Sequence, residues 1–210
     1  MGTTDGGLTK NINKFANNID IVISGEQSVV LNGLWTKTFF SNQDRTFFFK
    51  LYNNALGYNN AVAHFVHGHS PYCTFCDLTR AQDQNFESPI HLFYECRSVC
   101  DVVENVLRIV TSNENFVFSR REYFTTFERQ EASYAYNQTL TLVTKLIIKY
   151  FWDCKTRHCL PTVGECLDNI KEKIGLQLEM KSQLSKVVFK SSLPFFIREN
   201  FANNVNNRIP

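Results

Sequence analysis

Four residues of metal-ligand type lie close together in one stretch of this chain. The stretch has the pattern C-x2-C-x14-H-x4-C, and its members are Cys73, Cys76, His91 and Cys96. Two cysteines separated by two residues can direct both thiolates at one point, and a histidine with a third cysteine completes the tetrahedral set that zinc prefers. The spacing therefore predicts one bound Zn2+ ion. Because four protein ligands leave no position for water, it predicts a structural site rather than a catalytic one.

The alternative for these four residues is a set of buried thiols and a core histidine without a metal, as single cysteines and histidines often are. Four of them in so short a window favour the metal site. Two other pairs are weaker signals. His67 and His69 lack a thiol or carboxylate partner nearby. His158 and Cys159 are neighbours in sequence, but the base of a thiol enzyme is recognised by its position in space.

The segment that carries His91 and Cys96 must be a distorted helix. Ser88 and Pro89 form a helix start, with serine as the cap and proline in the first turn. On a regular helix, two residues five apart point about 140° away from each other. The helix must therefore end or distort between the two ligands. A second helix is predicted from about Arg97 to Val110, with an inward face made of Val99, Val102, Val103, Val106 and Ile109.

The rest of the chain predicts a mainly α fold, a small helical domain organised around the CCHC zinc site. Residues 31–58 are predicted to form two short aromatic helices. The second should end at Gly57 in a left-handed cap and bury Phe47, Phe48, Leu51, Tyr52 and Leu56. A long helix is predicted from Ala135 to about Lys155, and Thr162 with Glu165 forms a capping box for the next helix. The short link between these helices predicts an antiparallel pair.

The domain organisation follows from these elements and from composition. We expect a flexible lead-in at 1–30, the aromatic helices and zinc module at 31–110, a helical domain packed on it at 111–190, and a tail at 191–210. Seven cysteines are an odd number, and the first residues contain no apolar run preceded by basic residues, so we expect a reducing compartment, the nucleus or the cytoplasm. No apolar run reaches the roughly 18 to 20 residues that span a bilayer, so we expect a soluble protein with no membrane partner.

The charge is small but unevenly distributed. The net charge is +2; residues 77–134 carry ten acids against six bases, and residues 140–200 carry ten bases against six acids. The second region could present a basic face, although a solvated helix surface fits equally well. Six cations are candidate phosphate contacts in nucleic acid. They are Lys145, Lys149, Lys155 and Arg157 on the long helix and its link, and Arg45 and Lys50 beside the aromatic helix.

Several motifs resemble one known family. They are Trp35, RTFFFK at 45–50, NNAL at 53–56, SPYCTFC at 70–76, Glu87 leading to HLFYEC at 91–96, IIKYFWDCK at 147–155, and Leu160-Pro161. Together they resemble the C-terminal segment of the reverse transcriptase polyproteins of non-LTR (LINE-type) retrotransposons, which ends in a CCHC zinc-binding module. The resemblance implies that Cys73, Cys76, His91 and Cys96 are the zinc ligands. It also implies that the segment follows a polymerase domain and helps to engage RNA or target DNA during target-primed reverse transcription.

Two functions stay open at this point. The first is a non-catalytic module that binds RNA or DNA, with an upstream reverse transcriptase domain as a further partner and no small-molecule substrate. The chain lacks the aromatic-x-Asp-Asp pair of a polymerase and any recognisable endonuclease motif, so we expect no enzymatic activity from it alone. The second is a zinc-stapled scaffold or protein-interaction domain, a domesticated remnant of such an element. Salt-dependent binding to nucleic acid distinguishes the two.

Overall fold

The computed structural model describes residues 15–23, 40–81 and 85–180 of the chain. This part is mainly helical, as predicted, and contains no β-strand, only an isolated antiparallel bridge between Tyr72 and Phe86. No helix in it combines the length and the apolar composition needed to cross a membrane. The elements in chain order are α1 (Asn42–Tyr52), α2 (Asn59–Ala63), α3 (Thr74–Thr79), a π-helical turn (His91–Glu95), α4 (Arg97–Thr111), α5 (Arg120–Phe124), α6 (Tyr134–Thr156) and α7 (Val163–Met180).

The chain divides into two compact units. The first unit comprises Met1–Val99 and Phe151–Leu160, and the second comprises Cys100–Tyr150 and Pro161–Pro210. This division differs from the boundary expected near residue 110. Both α4 and α6 contribute residues to each unit, so a boundary placed between helices by local sequence signals does not reproduce it.

Helix α1 of the first unit begins with a side-chain cap. The Asp44 N–H donates to Ser41 Oγ at 3.2 Å, and the Ser41 N–H donates to Asp44 Oδ2 at 3.0 Å, so both groups satisfy backbone donors at the helix start. The helix ends before Asn54, whose φ of 53° is left-handed. Gly57 was expected to hold that position but does not have a positive φ. Asparagine tolerates the left-handed region well enough to end the helix earlier.

The core of the first unit is aromatic. The side chains predicted to be buried from α1 and the turn after it are buried: Phe47, Phe48, Leu51, Tyr52 and Leu56. Trp152 joins them from far along the chain, with its ring centroid 5.9 Å from that of Phe47, 6.0 Å from Tyr58 and 6.5 Å from Phe93. Ring pairs at such distances add to the free energy gained by burial. Phe47, Phe48 and Tyr52 are therefore core residues, and their burial leaves them unable to stack on bases.

Residues 15–23 correct the prediction of a flexible lead-in over 1–30. Residues 15–18 are helical, and Phe15 and Ile19 are completely buried. The Phe15 ring meets Tyr52 edge to face, with centroids 5.0 Å apart. Two apolar side chains that enter the core therefore hold this segment in place. The first of the two predicted aromatic helices and the tail at 191–210 lie outside the described residues.

In the second unit, α4 and α6 match the predicted helices closely. Helix α4 buries Val102, Val103 and Val106 as expected, whereas Ile109 is 37% exposed and Val110 is completely buried in its place. The inward face continues from Val106 by a step of four residues rather than three, and both steps are compatible with 3.6 residues per turn. Helix α6 buries Leu140, Val143, Ile147 and Tyr150.

Helix α7 begins at the predicted capping box, but only one of the two hydrogen bonds of that box is present. The Glu165 N–H donates to Thr162 Oγ1 at 3.3 Å, which is half of the predicted capping box. The other half runs through Tyr150, because the Thr162 N–H donates to Tyr150 Oη at 3.0 Å and the Tyr150 hydroxyl lies 3.1 Å from Glu165 Oε2. The antiparallel packing of α6 and α7 stays a prediction.

Candidate metal centre

Two of the predicted ligands lie at the start of α3. Cys73 is the residue before the helix and Cys76 lies within its first turn. The Cys73 N–H donates to the Asn85 carbonyl at 2.9 Å, and the Glu87 N–H donates to the Pro71 carbonyl at 3.0 Å. These bonds flank the bridge between Tyr72 and Phe86. The segment before Cys73 is thereby paired with the segment that leads into the other two ligands.

The other two ligands lie at the two ends of the π-helical turn. Ser88 caps this segment, since the His91 N–H donates to Ser88 Oγ at 3.2 Å. The Cys96 N–H donates to the His91 carbonyl at 2.8 Å, which is the i to i+5 bond of a π-helix. The expected distortion between His91 and Cys96 is confirmed. A π-helical turn brings residues five apart to the same side of the helix, where an α-helix would separate them.

The four predicted ligands meet in one buried group, which we call the Cys3His cluster. Their ligand atoms all lie within 4.8 Å of one another. The Sγ atom of Cys96 is 4.0 Å from that of Cys73 and 3.9 Å from that of Cys76, and Cys76 Sγ is 3.3 Å from His91 Nε2. The cluster can hold one metal ion. Within the described residues no second group of three or more such side chains occurs, so His67 and His69 are not part of a comparable site.

The three thiols of the Cys3His cluster affect one another's ionisation. The hydrogen bond with Cys96, together with burial, raises the pKa of Cys73. Burial, together with the negative charge of Cys96, raises the pKa of Cys76. The hydrogen bond from Cys73 lowers the pKa of Cys96. One thiolate is thus favoured at the expense of the other two, because like charges in a buried space disfavour each other. A bound cation would allow all three thiols to ionise together.

Backbone N–H groups also face the sulfur atoms. Hydrogen bonds from the backbone of Cys76, Asn85 and Ser98 lower the pKa values of Cys73, Cys76 and Cys96 respectively. Donors aimed at sulfur stabilise the thiolate, which is the form that binds a metal. All seven cysteines of the chain are free. The 4.0 Å between Cys73 Sγ and Cys96 Sγ is about twice the length of a disulfide bond.

Two of the six candidate phosphate contacts are buried, which corrects the prediction that they are exposed. Lys145 is 1% exposed, and its Nζ donates to the Tyr123 carbonyl at 3.1 Å. Burial lowers its pKa well below the usual lysine range. The prediction failed because this stretch of α6 is buried on every side, from residue 139 to residue 148. Lys155 is 8% exposed and forms an ion pair with Glu87 at 2.8 Å.

The other four cations differ in exposure. Lys50 and Arg157 are exposed, whereas Arg45 and Lys149 are half-buried. Arg157 Nε donates to the Asp153 carbonyl at 3.3 Å. Lys149 belongs to the second unit and the other three belong to the first. Lys50 and Arg157 therefore keep the exposure that a phosphate contact needs.

Sequence reasoning missed one buried carboxylate, bonded to the residue after Cys73, and two exposed aromatic rings. Glu87 was noted only as part of a resemblance, yet its side chain is completely buried and bonded to Thr74. Its one signal in the sequence is its position four residues before His91. Phe65 is 90% exposed and Phe86 is 58% exposed, which periodicity cannot reveal because neither lies in a regular helix.

Comparison with known proteins adds no relative. No protein family, curated protein or solved structure matches this chain.

Proposed function

We propose that this chain is a non-catalytic nucleic-acid-binding module whose fold is stabilised by one Zn2+ ion held in the Cys3His cluster. The geometry of the cluster carries the zinc part of the proposal. A tetrahedron with zinc–sulfur bonds of about 2.3 Å and zinc–nitrogen bonds of about 2.05 Å has edges of about 3.8 Å between sulfurs and about 3.6 Å from sulfur to nitrogen. The cluster has 3.9 and 4.0 Å between sulfurs and 3.3 Å from Cys76 Sγ to His91 Nε2.

The donor set favours zinc over other common ions. Three thiolates and one imidazole suit a borderline-soft ion, whereas calcium and magnesium require oxygen ligands. Four protein ligands fill a tetrahedral site and leave no place for water or substrate. The ion would then compensate the charge of three buried thiolates. Its coordination bonds would connect the start of α3 with the π-helical turn, and it would supply no reaction chemistry.

The nucleic-acid part of the proposal is supported by the resemblance to retrotransposon reverse transcriptase segments and by exposed side chains of the first unit. Phe86 lies parallel to Tyr72, with an interplanar angle of 3° and centroids 5.5 Å apart. Phe65 is 90% exposed. Exposed rings can stack on the bases of a single strand, and cations such as Lys50 and Arg157 can contact its phosphates.

The alternative is a zinc-stapled scaffold that binds another protein, and two observations favour it. Burial of Lys145 and Lys155 removes two of the six candidate phosphate contacts. The acids Asp77 and Glu95 are exposed one residue from ligands of the Cys3His cluster, and they would repel phosphate.

Binding of the purified zinc-loaded chain to fluorescent RNA, single-stranded DNA and duplex DNA, measured by anisotropy at two salt concentrations, tests the proposal. The Lys50→Gln/Arg157→Gln variant should bind every sequence more weakly, and its slope of log affinity against log salt should fall by about one unit for each lost contact. The matched control, Arg108→Gln/Lys171→Gln, removes the same charge from residues that already form ion pairs in the second unit.

The aromatic contribution is tested separately. Phe65→Ala should weaken binding of single strands by roughly 1 to 3 kcal/mol for a lost stacking contact and leave binding of duplex DNA unchanged. If the wild-type chain shows no salt-sensitive binding to any of the three nucleic acids, the nucleic-acid proposal is wrong and the scaffold alternative replaces it. Equal losses in the charge variant and its control would also contradict the assignment of Lys50 and Arg157.

A further inference from the structure

The Glu87 carboxylate is buried beside the Cys3His cluster and accepts four hydrogen bonds. Its side chain has no solvent exposure. Oε1 accepts from the Asn59 N–H at 2.8 Å and pairs with Lys155 Nζ at 2.8 Å. Oε2 accepts from the Thr74 N–H at 3.1 Å and from the Thr74 hydroxyl at 3.0 Å. An ionised carboxylate has about four acceptor positions, and all four are in use.

Lys155 is the counter-charge that this carboxylate requires. A buried carboxylate is strongly disfavoured unless it is paired and hydrogen-bonded. Lys155 Nζ also donates to the Gly57 carbonyl at 2.9 Å and lies 4.7 Å from the centre of the Trp152 ring. The ammonium group is therefore held on three sides inside the first unit. Glu87 and Lys155 together form a closed polar network with few groups left for water.

This network restrains the backbone on both sides of the ligand Cys73. Thr74, which Glu87 binds twice, directly follows Cys73. Asn59 holds Tyr72, the residue before Cys73. The Asn59 Nδ2 donates to the Tyr72 carbonyl at 2.8 Å and lies 3.1 Å from Thr74 Oγ1. Glu87 itself lies four residues before His91 in the sequence. The carboxylate thus connects the Cys73 turn with the segment that carries the other ligand pair.

We propose that Glu87 and Lys155 are positioning residues of the metal centre. Their ion pair holds the Cys73 turn in the geometry that places its thiolate toward the other three ligands. Lys155 lies near the end of α6, far along the chain from the last ligand, so metal affinity depends on a residue outside the C-x2-C-x14-H-x4-C motif. The inference rests on the proposed zinc site. Removal of outer partners of this kind commonly lowers metal affinity by roughly 10-fold to 100-fold.

The test is a zinc competition titration against a chromogenic chelator with the full chain and its variants. Glu87→Gln and Lys155→Met each keep the shape of the side chain and remove its charge, and we expect each to lower zinc affinity by roughly 10-fold or more. The double variant should lose less than the two single losses combined, because neither buried charge is then left unpaired. Substitution with Co2+ gives a second readout, and its visible absorption should weaken in the single variants as the tetrahedral geometry loosens.

A core variant separates positioning from general loss of stability. Leu51→Ala removes a completely buried side chain of the first unit that takes no part in the network. If Glu87→Gln loses no more zinc affinity than Leu51→Ala at an equal fall in melting temperature, the positioning role is wrong. Should Glu87→Gln fail to fold, Thr74→Val removes one of the four bonds and must still lower affinity several-fold. A wild-type chain that binds no zinc would instead overturn the proposed metal site.

Discussion

The backbone N–H of Cys96 donates to the carbonyl oxygen of His91, five residues earlier, at 2.8 Å. This one bond is the reason that the two residues can share a metal ion. It belongs to a π-helical turn inserted between the helix start at Pro89 and helix α4. Short π-helical segments frequently occur at functional sites, and here the turn brings two residues of metal-ligand type, five positions apart, into one cluster.

Zinc content should follow the four ligands and no other cysteine. We expect one equivalent of zinc per chain by elemental analysis, and less than half an equivalent for Cys96→Ser. The matched control is Cys100→Ser, one turn further along α4, which should retain the full equivalent. Loss of zinc from Cys100→Ser with retention in Cys96→Ser would contradict the ligand set.

Chelation should unfold the metal-binding part of the first unit. A structural zinc ion contributes on the order of 10 kcal/mol in small zinc domains, which is comparable to the whole stability of a domain, about 5 to 15 kcal/mol. Hydrogen exchange should therefore show loss of protection between residues 60 and 99 after addition of EDTA. EDTA already saturated with zinc is the control. Unchanged protection in a chain shown to have lost its zinc would contradict this prediction.

Lys145→Met should stabilise the protein at neutral pH. The pKa of Lys145 is lowered by burial, so the unfolded chain binds a proton that the folded chain releases. Stability of the wild type should therefore rise with pH until the unfolded lysine also loses its proton, near pH 10.4. The methionine variant lacks this dependence, and we expect it to gain roughly 1 to 3 kcal/mol at neutral pH.

Urea unfolding of the wild type and Lys145→Met at several pH values checks this expectation. The difference between the two proteins should be largest at low pH and should shrink as pH approaches 10. Lys171→Met, at a more exposed position in an ion pair with Asp168, is the matched control and should change stability by less than about 1 kcal/mol. A constant difference across the pH range would show that Lys145 does not titrate as inferred.

Trp152→Ala should destabilise the first unit by roughly 3 kcal/mol, at the lower end of the range for truncating large aromatic side chains. The indole contacts Phe47, Tyr58 and Phe93 and also lies beside Lys155 Nζ. Trp152→Phe keeps a ring and should lose less. Circular dichroism melting curves measure both, with Tyr134→Ala as the control because that side chain is 75% exposed. Equal melting temperatures for Trp152→Ala and the control would contradict the packing role.

The local elements could be predicted from the sequence because their determinants are local. Helices α4 and α6 follow from apolar residues at steps of three and four, and their ends match within about two residues of the structure. The Cys3His cluster follows from ligand types and spacing. Even the distortion between His91 and Cys96 follows, since helical geometry forbids both ligands from sharing a metal on a regular helix.

Only the tertiary structure could show that Lys145, Lys155 and Glu87 are buried and which groups they contact. A lysine on the polar side of a helical pattern is expected to be exposed, but α6 is covered around Lys145, and Lys155 meets a carboxylate from a distant segment. Burial of Phe15 and the return of residues 151–160 to the first unit are long-range outcomes of the same kind. Periodicity reports which face of one helix is apolar, whereas burial of a charge depends on what the rest of the chain brings against it.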